Sequence, residues 1–185
     1  MKHNIFFPVQ FVVLLWGVKL MENFFGISFV EFGIYPRTIG QDFKGIRGIF
    51  FAPLIHSNFG HLISNTVPLL ILGISLFLFY PKIATRVFIM CHLLTGLLVW
   101  LFAVQFSYHI GASGLVYGLA FFLMTIGVFK KDFKSLAISI GIVFLYGSLI
   151  WGVLPNWMGV SWESHLSGAI VGVVCASYYG KRDIG

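Results

Sequence analysis

The sequence predicts an all-α membrane protein with six transmembrane helices, and three observations lead there. Hydrophobic residues make up 58% of the 185 residues and charged residues only 10%, against roughly 25% charged in an ordinary soluble domain. Mean hydropathy is +0.94. Apolar runs recur at lengths close to the ~20 residues that carry a helix across the hydrocarbon core. The length suits one compact bundle with short connections, so a single domain over residues 1–185 is expected, with its function built from spans and loops.

The first apolar run covers residues 5–25. Lys2 followed by an apolar stretch has the outline of a signal peptide, but Lys19 and Glu22 interrupt it and no small-residue cleavage site follows, so a span is expected. Then comes the one long connection, residues 26–61, in which Gly33, Pro36, Gly40, Gly45 and Gly48 are interleaved with Phe, Ile and Tyr. Loops of that length in a small fold are usually functional, and the apolar content predicts a partly buried or interfacial segment. The remaining spans are expected at residues 62–80, 83–106, 113–129, 135–154 and 165–179, the fourth and sixth being short. Cys91 and Cys175 fall in apolar runs of different spans, where a thiol packs as a small hydrophobe.

Charge sets the orientation. Lys2, Lys82, Arg86, Lys130, Lys131, Lys134, Lys181 and Arg182 fall on one side, while the other carries only Arg37, Lys44 and Arg47. By the positive-inside rule both termini are cytoplasmic. This asymmetry accounts for the net charge of +6, and no basic stripe with interleaved aromatics points to nucleic acid.

Strongly polar residues inside spans are costly and mark function by default. Here they form a short list. His56, His61 and Asn65 stand in the run His56-Ser57-Asn58-Phe59-Gly60-His61-Leu62-Ile63-Ser64-Asn65 at the entry to the second span. His61 and Asn65 are four apart and share a helix face, whereas His56 and His61 would diverge by about 140° on a continuous helix. Ser113, in Gly111-Ala112-Ser113-Gly114, opens the fourth span, and His165, in His165-Leu166-Ser167-Gly168, opens the sixth.

Three mechanisms compete for these groups. A catalytic zinc in a membrane would be expected on a His-Glu-x-x-His helix, which is missing from the sequence, so neither metal nor cofactor is expected. Aspartyl chemistry needs two carboxylates sharing a proton, and Asp42, Asp132 and Asp183 all fall in loops or tails. Serine chemistry remains. A hydroxyl becomes a nucleophile when a base takes its proton, and an imidazole titrating near pH 6.5 does this at neutral pH. Glu163 would point about 160° from His165 on a helix, so a Ser113–His165 dyad is expected rather than a triad.

Attack on an amide creates an oxyanion, and each preorganised donor to it is worth about 3 kcal/mol. The side chains of His61 and Asn65 and the backbone N–H groups beside Ser113 are the candidates, the latter at the positive end of a helix. Gly114 and Gly118 follow the serine, and Gly168 and Gly172 follow the histidine, each a small-xxx-small pair that lets helices approach closely. Tyr117, one turn beyond Ser113, is placed to stack on the ring of His165. His92 is expected to be a buried, hydrogen-bonded residue and His109 a solvated one. Leu115 breaks the Gly-x-Ser-x-Gly elbow of soluble hydrolases.

Together, His56-x4-His61-x3-Asn65, Gly111-x-Ser113-Gly114 with Tyr117, and His165-x2-Gly168-x3-Gly172 resemble the motifs of the rhomboid family of intramembrane serine proteases, in order and on the second, fourth and sixth spans. The resemblance covers the chain from the first loop onward. It implies a six-transmembrane-helix rhomboid-like bundle, Ser113 as nucleophile, His165 as base, oxyanion assistance from His61 and Asn65, and a supporting role for His56. It implies substrates that are single-span membrane proteins in the lipid bilayer, cut within or near the outer end of their helix, and no nucleic acid partner. Two departures stand out: Ile46-Arg47 where the family often has Trp-Arg in the first loop, and Ser164 where Ala commonly precedes the histidine.

A transmembrane substrate hides its amides in helix hydrogen bonds, so the scissile segment has to unwind, and Gly or Pro there would lower the cost. Water would enter through a polar recess near Ser113, under a lid formed by residues 155–163 with Trp157, Met158 and Trp162. The minimal six-span form points to a bacterial cytoplasmic membrane. The alternative is a catalytically inactive rhomboid-like protein that binds membrane clients, but it would be expected to have lost Ser113 or His165. A small transporter would run polar residues through the membrane rather than gather them near one side.

Overall fold

The computed structural model describes residues 5–37, 45–104, 107–155 and 161–182. Seven α-helices appear among them: α1 (Phe7–Phe25), α2 (Gly48–Phe51), α3 (Phe59–Phe79), α4 (Ala84–Phe102), α5 (Ser113–Lys130), α6 (Phe133–Tyr146) and α7 (Trp162–Gly180). α6 continues as a 3-10 helix, Gly147–Val153. The only extended pairing among the described residues is a single antiparallel bridge between Ile34 and His109.

Among the described residues, four stretches are long and apolar enough to cross a membrane: Phe59–Phe79, Ala84–Phe102, Ser113–Lys130 and Phe133–Val153. Six spans were expected, and α1 and α7 occupy the other two positions with 19 residues each. Their polar load sets them apart. α1 carries Gln10, Lys19, Glu22 and Asn23, and α7 carries Glu163, Ser164, His165 and Ser167.

Helix starts differ from the hydropathy boundaries because polar caps belong to the helix. The Asn58 side chain accepts the His61 N–H at 2.8 Å and starts α3 at Phe59, ahead of the apolar run. Ser161 accepts from the Ser164 N–H and starts α7 at Trp162. Asp132 does the same for α6 through Ser135. His61 and His165 therefore sit inside first turns, held by helical backbone.

α5 lies at the centre of the bundle and packs on α3, α4, α6 and, most extensively, α7. That last pairing is backbone against backbone. A β-carbon on Gly168 would overlap the carbonyl of Gly114, and one on Gly172 would overlap that of Gly118, which is how small residues bring membrane helices together. Gly118 also presses on Cys91 of α4, and Cys91 and Cys175 are both buried free thiols next to one another.

The first loop folds onto the bundle, as its apolar content suggested. It contains a 3-10 turn at Val30–Phe32, α2, and a second 3-10 turn at Ala52–Leu54. Ile34, Ile49 and Ala52 join Val99 and Trp100 of α4 in a small apolar cluster. Arg47 anchors the loop to itself: its guanidinium lies 4.4 Å from the centre of the Phe32 ring and Nη2 donates to the Glu31 carbonyl at 3.1 Å. At the other end of the chain's path, the Trp16 indole N–H of α1 donates to Thr66 of α3 at 3.1 Å.

Candidate active site

One cavity of about 670 Å³ opens among the ends of α3, α5 and α7, and Ser113, His165, His61, Asn65 and Tyr117 all line it. Gly111 and Gly114 lie behind it, on a second void of about 20 Å³ that also touches His109, Thr95 and Ser164. His56 is buried beneath.

Ser113 is the first residue of α5. Ala112 precedes it with no side-chain cap, so the first-turn N–H groups keep their hydrogen-bonding capacity beside the serine. The approach to the helix is a turn at Gly111 with φ of 103°. A β-carbon there would lie 2.6 Å from Cε1 and Nε2 of His61, so the turn needs glycine for both its backbone and its neighbour. The Gly111 N–H is spent on the Ala52 carbonyl at 2.9 Å.

His165 is held from two sides. Its Nδ1 stands 3.0 Å from the Gly152 carbonyl. A carbonyl only accepts, so Nδ1 carries the proton and Nε2 keeps its lone pair. The Tyr117 ring stacks on the imidazole with centroids 4.1 Å apart and planes within 5°. Ser113 and His165 share the cavity wall without a hydrogen bond between them; catalytic contacts of this kind are often long until substrate arrives.

His56, His61 and Asn65 form a second layer against Ser113. His56 Nε2 accepts the Ala112 N–H at 3.4 Å, which ties the ring to the residue before the serine. Its centroid is 5.0 Å from that of His61, edge to face, because His56 precedes α3 and the helical divergence does not apply. His61 Nδ1 is 3.3 Å from the Ser57 hydroxyl. Asn65 donates one amide proton to the His61 carbonyl at 2.9 Å and keeps the other.

The rhomboid domain family matches residues 44–182, most of the sequence and all three motifs. The chain belongs to the rhomboid family. It is also similar to uncharacterized proteins of Mycobacterium tuberculosis and Mycobacterium bovis, each 37% identical over 176 residues that cover 91% of this chain and 72% of theirs. A Mycobacterium leprae relative is 37% identical, covering 91% of this chain and 68% of its own length. With its apolar helices, this rhomboid is a multi-pass membrane protein.

Several residues of the rhomboid site escaped the sequence reading. His109 is not solvated: it is 3% exposed, pairs through its backbone with Ile34 at 2.8 and 3.0 Å, and its Nδ1 hydrogen-bonds the Ser161 hydroxyl. Ser161 in turn meets the Ser164 hydroxyl at 2.6 Å. The residues just before Ser113 are thus linked to the cap of the helix that carries His165. Lys19 of α1 donates to the carbonyls of His56 and Ser57 at 2.9 and 3.2 Å and pairs with Glu22 at 3.2 Å, while Glu22 accepts the Phe29 N–H at 2.8 Å. The signal was present for Lys19 and Glu22, since a Lys and a Glu three apart in an apolar helix are costly to bury unpaired.

Glu163 lies buried in the first turn of α7, a position where the helix N-terminus favours a carboxylate. His92 is half-buried and donates from Nε2 to the Phe50 carbonyl at 3.1 Å. Of the lid residues, Trp157 and Met158 lie outside the described residues, and Trp162 is the half-buried first residue of α7.

Proposed function

We propose that this rhomboid is an intramembrane serine endopeptidase that cleaves single-span transmembrane proteins with a Ser113–His165 dyad. The observation that carries the reading is the shared cavity in which His165 Nδ1 is committed to Gly152, leaving Nε2 as the nitrogen able to take the serine proton. Ser113 Oγ attacks the scissile carbonyl as its proton passes to Nε2. The tetrahedral intermediate collapses, the C–N bond breaks, and the new amine leaves with that proton. Water then enters from the cavity, gives a proton to His165 Nε2 and attacks the acyl-serine; the C–Oγ bond breaks, the carboxylic acid product leaves, and Nε2 returns the proton to Ser113 Oγ.

The oxyanion is met by the open N–H groups at the start of α5 and by the second layer. With the Ser57 hydroxyl donating to His61 Nδ1, His61 Nε2 carries a proton and acts as a donor. The spare Asn65 amide proton is the other. His56, neutral and tied to Ala112, supports the turn rather than the proton transfer.

Substrate helices unwind before attack, so Gly and Pro near the cut favour cleavage. The protein crosses a bacterial cytoplasmic membrane six times, with both termini cytoplasmic and the cavity on the outer side. The test is cleavage of a labelled single-span protein in proteoliposomes beside Ser113→Ala, with fluorophosphonate labelling of the serine. Cleavage and labelling confined to the parent protein uphold the reading. Absence of both across several substrates leaves a client-binding protein without catalysis.

A further inference from the structure

At the end of the bundle away from Ser113, α3 passes into α4 through residues 80–83, and α5 passes into α6 through residues 131–132. The two turns enclose a cavity of about 320 Å³ lined by Lys82, Lys130 and Lys134, with Tyr80 also in the wall and Leu78, Phe79 and Ile83 below. Lys130 Nζ stands 6.0 Å from the centre of the buried Tyr80 ring. The one acid beside this cavity among the described residues, Asp132, is already employed. It caps α6, taking the Ser135 N–H at 2.9 Å and the Ser135 hydroxyl at 2.7 Å, and meets Lys130 only at 3.5 Å with both groups partly exposed. Asp132 offsets at most one of the three ammonium charges.

Three ammonium groups around one concave site therefore carry a net positive charge, and the wall changes from cationic to apolar in the direction of the bundle. Leu78 is 56% exposed on the outer surface of α3. That sequence of chemistry, cation at the rim and open hydrocarbon immediately beside it, matches an amphiphile with an anionic head. We propose that this cavity is a binding site for the phosphodiester headgroup of an anionic phospholipid, whose acyl chains run along Leu78 on the outside of α3. Free phosphate shares the head chemistry but would leave the apolar wall unused. The site does not rest on the protease reading, since it lies at the opposite end of α5 from the serine.

The experiment measures lipid retained by the purified protein in detergent, by native mass spectrometry, after exposure to phosphatidylglycerol or phosphatidylcholine. The parent protein is expected to hold phosphatidylglycerol selectively. The variant Lys82→Gln/Lys130→Gln/Lys134→Gln is expected to lose on the order of a hundredfold in affinity. Lys181→Gln/Arg182→Gln, which removes two charges from a separate surface groove at the end of α7, is expected to keep it. The single variant Lys134→Gln, at the exposed start of α6, is expected to show a several-fold loss with unchanged melting, which covers the case of a triple variant that folds poorly. Equal retention by the parent and both lysine variants overturns the proposal, as does equal loss from the α7 variant, which would mean general surface charge. Displacement of the lipid by inorganic phosphate alone at comparable concentration also overturns it.

Discussion

The Tyr117 ring and the His165 imidazole lie face to face, 4.1 Å apart at their centres and 5° from parallel, and Gly152 closes the stack from the side. Its carbonyl holds His165 Nδ1, and a β-carbon at 152 would meet the Tyr117 hydroxyl oxygen and stand 3.5 Å from Nδ1. Gly152→Ala should therefore displace the ring pair and lower kcat about a hundredfold, since a shift near 1 Å is enough for that. Tyr117→Phe keeps the stacked ring and should retain most activity, whereas Tyr117→Ala should lose at least tenfold. Initial cleavage rates in proteoliposomes check all three; equal rates for the Ala and Phe variants would sink the positioning role.

The His109–Ser161–Ser164 relay predicts coupled losses. His109→Leu and Ser161→Ala each break the same link between the Ser113 turn and the cap of α7. Each should reduce kcat roughly tenfold, and the double variant should cost little more than either alone, as for residues in one network. His109→Asn, which can still hydrogen-bond the Ser161 hydroxyl, should recover part of the rate. Fully additive losses would show that the two residues act separately.

Helix packing gives a stability prediction with its own control. Gly168→Val inserts a branched side chain where the Gly114 carbonyl already sits. It should destabilise by at least about 1–3 kcal/mol, the usual cost of overpacking. Gly17 of α1 has nothing within 4 Å of an added β-carbon. Gly17→Ala should then leave the melting temperature unchanged or raise it, because alanine is the better helix former by about 0.5–1 kcal/mol. Thermal unfolding in detergent reads both.

Burial pushes the His56 imidazole from 6.5 down to about 4, and His61 nearby pushes in the same direction. The folded protein then binds fewer protons than the unfolded chain between those two values. Its stability contribution is complete above about 6.5 and is lost as the pH falls through the window toward 4. Melting temperature should drop over this range, and the slope should be shallower in His56→Gln. An identical slope in the variant would assign the effect to other histidines.

Much of this architecture could be read from apolar runs of near-spanning length, because polar residues break even α1 and α7 only locally. The ends could not. Asn58, Asp132 and Ser161 are polar residues that start helices, and a hydropathy window places them in loops. The fifth expected span also changes character at Gly147, where α6 becomes a 3-10 helix, and the Gly152 carbonyl that meets His165 lies in that 3-10 stretch. Nothing in the spacing of residues 147–153 announces it. Ser113, His165 and Tyr117 were legible because their neighbours are small and their cost inside a membrane is high. His109 was not, since its burial depends on a bridge to Ile34 some 75 residues earlier in the chain.

Lys19 and Glu22 have a consequence for where the working unit begins. The family match starts at residue 44, yet the carbonyls of His56 and Ser57 hang from an ammonium group on α1. A fragment trimmed to the matched region would keep every motif residue and lose the strut beneath them. The smallest autonomous version of this molecule is thus larger than its recognisable signature, and α1 behaves as scaffolding for a segment more than thirty residues downstream.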